Sequence, residues 1–137
     1  MNVEAMRSVP LFRGLKERQL EQILALGKEV HHAAGKAVVE EDHPGIGFHL
    51  IVSGEAEASI GGLGVSKMGP GDYFGEISLI DGGLRSATVT ASSDLTTFGI
   101  PAWNFSQLLD TSPEIARALL LELCGRIRHM SEALHTA

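Results

Sequence analysis

Gly71-Asp72-Tyr73-Phe74-Gly75-Glu76-Ile77-Ser78-Leu79-Ile80-Asp81-Gly82-Gly83-Leu84-Arg85-Ser86-Ala87-Thr88-Val89 is the stretch around which the chain is organised. Gly71 and Gly75 permit tight or positive-φ backbone, which lets the chain turn and approach a ligand closely. Glu76 to Ile80 is long enough for about one to two helical turns. A short helix opening at Gly75 aims free backbone N–H groups, and the positive end of its dipole, at an anion. Asp81-Gly82-Gly83 breaks that helix. The chain then returns to Arg85, which opens the β-type run Ser86–Ala91. Arginine supplies a planar fork of donors suited to two oxygens of one phosphate, and it stays charged at any working pH. Glu76 only accepts, so it suits a sugar hydroxyl rather than a phosphate. One segment thus offers an anion cradle, a phosphate clamp and a hydroxyl acceptor.

On both sides of this stretch the pattern is short strands with turn punctuation. The candidates are Glu29–Ala33, Ala37–Glu40, Gly47–Ser53, Glu55–Ile60, Val65–Met68, Ser86–Ala91 and Leu95–Ile100, separated by glycine and proline turns. Many short strands at this spacing predict a jelly roll. The fold is therefore read as mainly β with flanking helices, a β jelly-roll barrel over 28–100 interrupted once by the 71–89 cassette. Helices over 1–27 precede it. Asn2–Arg7 is short, Pro10 breaks it, Leu11-Phe12 forms an apolar hook, and Leu15–Leu26 is amphipathic and closed by Gly27. Helices over 101–135 follow. Ala102–Leu109 offers Trp103, Phe105 and Leu108 for packing, and Ser112-Pro113-Glu114 is a strong helix start. The long helix runs to about Leu134. Ile115 and Leu119 face inward, while Ala116, Leu120, Leu123, Ile127, Met130 and Leu134 form a second stripe. That stripe suits a homodimer seam or packing onto the domain's own barrel. Gly125 costs about 1 kcal/mol relative to alanine in mid-helix and is expected to mark a close approach.

The 137 residues allow one domain, 1–137, with a single core. A net charge of −6 argues against a large nucleic-acid surface, which would be basic. The lone Cys124 reads as a small buried hydrophobe in a reducing compartment. No apolar run reaches membrane-spanning length and the start lacks a signal peptide's apolar core, so this segment is expected to be soluble and cytoplasmic. His31 and His32 point to opposite faces of a strand and cannot share an ion as neighbours. Catalytic nucleophile motifs are missing, so neither an enzyme nor a metal site is expected.

Phe74-Gly75-Glu76-Ile77-Ser78-Leu79 followed by Arg85-Ser86-Ala87-Thr88-Val89 resembles the phosphate-binding cassette of cyclic nucleotide-binding domains. These include the bacterial cAMP receptor protein, the regulatory subunits of protein kinase A and cyclic nucleotide-gated channels. Pro10-Leu11-Phe12, Gly35 and Ser53-Gly54-Glu55 also fall where that family has them. The resemblance implies a nucleotide site built from Phe74, Gly75, Glu76, Ile77, Ser78, Arg85, Ser86 and Ala87. Glu76 would hold the ribose 2′-hydroxyl and Arg85 the cyclic phosphate. Serine at position 86 resembles the bacterial cAMP-binding regulators, which puts cAMP ahead of cGMP as ligand. By family position Met68 is expected at the purine face, and Met130 and Ser131 fall where the helix contacts the base, only Ser131 keeping a hydroxyl. No cofactor is implied. Bacterial regulators of this type continue into a helix-turn-helix, which is not seen before Ala137, so the output is expected on a domain or partner protein outside this chain. Two other readings stand beside this one. A cupin-like jelly-roll enzyme lacks its His-x-His…Glu set here. A dimerisation module of the same fold that has lost its ligand sits poorly with the intact Glu76 and Arg85.

Overall fold

In the computed structural model, which describes residues 1–40, 47–76, 80 and 87–136, the β-type segments form eight strands in two sheets. They are β1 (Lys28–His32), β2 (Ala37–Val39), β3 (Gly47–Ser53), β4 (Ala56–Ile60), β5 (Leu63–Met68), β6 (Tyr73–Phe74), β7 (Thr88–Ala91) and β8 (Leu95–Pro101). One sheet has the order β1-β8-β3-β6 and the other β2-β7-β4-β5, every pair antiparallel. The jelly-roll reading holds, as two separate sheets rather than a closed barrel. The short β6 was not among the expected strands. It pairs Phe74 with His49 and Tyr73 with Leu50, and so ties the cassette to the centre of the first sheet.

Strand alternation gives the first sheet an apolar face on each side. Phe48, Leu50, Tyr73, Phe98 and Ile100 face the helices. Ile51, Phe74 and Leu95 face the second sheet, where they meet Val39, Ala56, Val89 and Ala91. The expected single core is thus two clusters sharing one sheet. Gly54, between β3 and β4, has φ +88°, and a Cβ there would lie 2.1 Å from the Asp94 carbonyl oxygen, so only glycine fits that turn.

The helices close over the first sheet. Helix α1 (Val3–Arg7) is capped by Asn2, whose Oδ1 accepts from the Ala5 N–H at 2.8 Å. A 3₁₀ turn over Pro10–Phe12 buries Leu11 and Phe12, and α2 (Glu17–Leu26) buries Leu20 and Ile23. Helix α3 (Ala102–Thr111) buries Phe105 and Leu108, and Phe105 stacks on Phe48 at 4.9 Å. Trp103, expected to pack, is instead 72% exposed. Helix α4 (Pro113–Thr136) docks through Ile115 and Leu119, as their spacing predicts. Each fully buried side chain of this size contributes about 1.5–3 kcal/mol.

Two expectations for α4 are corrected. Cys124 is exposed rather than buried. A Cβ at Gly125 would meet nothing within 4 Å, so that glycine marks no close approach to the described residues of the roll. Both residues lie off the docked face. Among the described residues no helix is long and apolar enough to cross a membrane.

Candidate functional site

The turn that enters the cassette is pinned by backbone. The Gly71 N–H donates to the Ile51 carbonyl at 2.9 Å, and the Ile51 N–H donates to the Asp72 carbonyl at 2.8 Å. Asp72 Oδ2 accepts from the Gly69 N–H at 2.8 Å. From this fixed point β6 sends Tyr73 to the helix side and Phe74 to the inner cluster. Phe74 stacks on His49 with centroids 5.0 Å apart and rings 15° from parallel. Gly75 follows with φ 96°, the conformation its lack of a Cβ permits.

Glu76 is in helical conformation and only 2% exposed. It is no solvated surface carboxylate. Its Oε1 accepts from Arg126 Nη1 at 2.6 Å, a charge-assisted bond from α4. Its Oε2 is buried with no hydrogen-bond partner among the described residues. The Arg126 guanidinium carbon lies 4.7 Å from the centroid of the Tyr73 ring, within cation–π range. The Tyr73 hydroxyl is also buried without a partner among the described residues. Burial pushes its pKa up to about 12, Arg126 works against that shift, and Glu122, Glu76 and Asp72 add to it. Partial burial works to lower the pKa of Arg126. Glu76, Tyr73 and Glu122 together outweigh it and hold the guanidinium above its usual value.

Arg126 and Tyr73 were not picked out from the sequence, although the signal for Arg126 is there. Ile115, Leu119, Glu122 and Arg126 are spaced by four, three and four, which places all of them on the docked face of α4. A search for apolar periodicity alone passes over the two charged members.

The other expected site residues fall as follows. Met68 ends β5, half-buried, and packs against the inner cluster that contains Phe74. Ala87 is half-buried just before β7. Ser131 is exposed and lies about 140° around α4 from Arg126 by helical geometry, so Glu76 and Ser131 are not brought together within the chain. Ile77, Ser78, Arg85 and Ser86 lie outside the described residues, as does the side chain of Met130.

His32 and His49 meet at Thr97 on the inner face of the first sheet. His32 Nε2 and His49 Nδ1 lie 3.0 and 3.3 Å from Thr97 Oγ1. Burial, and then His31, lowers the pKa of His32. Among the described residues no three His, Cys, Asp or Glu side chains are placed to hold one metal ion. An apolar cleft of about 370 Å³ lies between the end of α2 and the ends of β1, β3 and β8, lined by Leu26, Val30, Phe48, Ile100 and Pro101 among others. No described cassette residue lines it.

Comparison with known proteins places these features in a family. The family model described as Cyclic nucleotide-binding domain matches residues 29–112. The chain is 34% identical over 113 residues to a cAMP-dependent protein kinase regulatory subunit of Eremothecium gossypii, covering 82% of this chain and 25% of that protein. It is 32% identical over 115 residues to a cyclic nucleotide-gated potassium channel of Mesorhizobium japonicum, covering 84% of this chain and 32% of that protein. Among solved structures, the catabolite activator protein of Thermus thermophilus superimposes with a TM-score of 0.83 at 28% identity, covering 92% of this chain and 62% of that one. The chain therefore spans only about a quarter to a third of the length of these curated relatives.

Proposed function

Because the chain belongs to the cyclic nucleotide-binding domain family, we propose that it is a regulatory sensor module that binds cAMP in preference to cGMP and passes occupancy to its long C-terminal helix. The observation that carries this reading is Glu76. It is a buried carboxylate with one oxygen held by Arg126 of α4 and the other without a partner among the described residues. Such a group offers an acceptor to a ribose 2′-hydroxyl and is linked to the helix by the same side chain. On this reading Arg85 and Ser86 donate to the cyclic phosphate, and the backbone N–H groups following Gly75 complete the anion cradle through Ile77 and Ser78. Met68 and Phe74 supply the apolar wall at the base.

The module does no chemistry of its own. Binding shifts a conformational equilibrium only through contacts that differ between the two states, and the Glu76–Arg126 link is such a contact. The output lies on another domain or a partner protein, in keeping with relatives three to four times longer than the matched region. Its place of action is the cytoplasm. Calorimetric titration with cAMP and cGMP tests the reading: one nucleotide per chain, cAMP the tighter, is expected. Absence of binding to either overturns it.

A further inference from the structure

The first half of α4 is anchored by Ile115 and Leu119, but the second half is held differently. Ile127 there is 62% exposed. Arg126 ties this half to the roll, placed between the carboxylate of Glu76 and the face of Tyr73. Backbone geometry puts both partners on the helix side. Alternation turns Tyr73 toward α4 and Phe74 away, and the positive φ of Gly75 precedes the return to Glu76. The Tyr73 hydroxyl makes no hydrogen bond with the described residues. The ring is what the site uses.

Resting on the functional reading above, we propose that Tyr73 is a positioning residue of the nucleotide site, its ring being the platform that, through Arg126, fixes the second half of α4 over Glu76. Arg126 takes Oε1 and leaves Oε2, so a ribose hydroxyl and the helix can engage Glu76 together. Fixing the helix therefore tightens nucleotide binding. An Arg126 freed from the platform has another carboxylate within electrostatic reach in Glu122, one turn back on its own helix. Losing the platform moves the guanidinium off the site without leaving it unpaired.

The test is amide hydrogen exchange over residues 122–130 in the nucleotide-free protein, with cAMP titration as a second arm. Tyr73→Leu should speed exchange there by about twofold to thirtyfold, the range of cation–π contacts from exposed to desolvated. Tyr73→Phe keeps a ring and should restore most of the protection. Arg126→Lys keeps the charge on Glu76 but not the planar stack, and should behave like Tyr73→Leu. In an Arg126→Met background Tyr73→Leu should add less than about twofold, because the two residues act as one unit. Unchanged exchange in Tyr73→Leu, or the same factor in both backgrounds, overturns the proposal, since the ring would then only fill space. If Tyr73→Leu does not fold, Arg126→Lys decides, and protection equal to the native protein overturns it. In the second arm Tyr73→Leu should weaken cAMP, and unaltered affinity would sever the platform from the nucleotide. A native protein that binds no cyclic nucleotide overturns the functional reading, while the exchange arm still decides the role of Tyr73.

Discussion

Arg126→Met and Glu76→Gln remove the two halves of one ion pair, and the structure makes their costs unequal. The Glu76 side chain is 3% exposed and that of Arg126 is 44% exposed. Losing Arg126 leaves a carboxylate buried without its counter-charge, which costs about 3–5 kcal/mol in a fully buried pair. Because Arg126 is nearly half in water, the pair is partly screened and the lower end, about 3 kcal/mol, applies. Glu76→Gln removes the buried charge itself. It forfeits one charge-assisted bond but no longer desolvates a carboxylate, and Arg126 can hydrate where it stands, so the net cost is about 1 kcal/mol or less. For a chain of this size 1 kcal/mol corresponds to about 4 °C in melting temperature. Thermal unfolding at pH 7 without nucleotide should therefore show a drop of about 12 °C for Arg126→Met and about 4 °C at most for Glu76→Gln. The double variant should resemble Glu76→Gln, since the stranded charge has gone. Equal costs, or a larger cost for Glu76→Gln, would refute the reasoning from unequal burial.

Arg85→Ala should weaken cAMP binding by about 2–5 kcal/mol through loss of a desolvated charge partner, and native affinity by calorimetry would show the cassette assignment wrong. A 2′-deoxy analogue of cAMP should bind the native protein about 1–3 kcal/mol more weakly than cAMP, and full affinity would remove Glu76 from the ribose role. Tyr73 is the only tyrosine, so ultraviolet absorbance reads it alone, and its phenol should ionise near pH 12. Since that value is raised above the unfolded one, the associated stability is complete below about pH 10 and lost as pH rises toward 12. Loss of stability only below neutral pH would contradict the sign. Ile127→Asp places a charge among exposed apolar residues of α4, and sedimentation should show a native dimer made monomeric; a native protein already monomeric with and without nucleotide would assign no seam to that face.

Much of the architecture could be read from residue order because local signals agreed. Gly47–Ser53 carries its strand boundaries in the sequence, and Ser112-Pro113-Glu114 marks the junction before α4 with three independent preferences. The inward face of α4 follows from the spacing of Ile115 and Leu119. β6 escaped because two residues have no readable period, and its existence depends on pairing with β3, distant in sequence. Trp103 escaped because composition favours burying a large aromatic, while its helix turns Phe105 and Leu108 inward instead. Glu76 was legible through the residues around it. Its partner was not, since Arg126 lies 50 positions away and salt-bridge partners leave no mark on local pattern.

The two halves of α4 are built on different physics, and that difference suits a sensor. Ile115 and Leu119 are buried against the roll, so on the proposed reading the first half would stay docked whether or not the nucleotide site is filled. The second half relies on a polar contact of the size a ligand can alter. On the proposed reading, a nucleotide that supplies about 2–3 kcal/mol of differential contact at Glu76 changes the docked-to-released ratio by roughly 30-fold to 150-fold. That is enough to convert a minor conformation into the major one. A second half anchored by several buried leucines would need a larger bias than one hydroxyl contact provides. On the same reading the exposed Ile127 rides on the released part of the helix, so a surface outside the domain would feel the change most directly there.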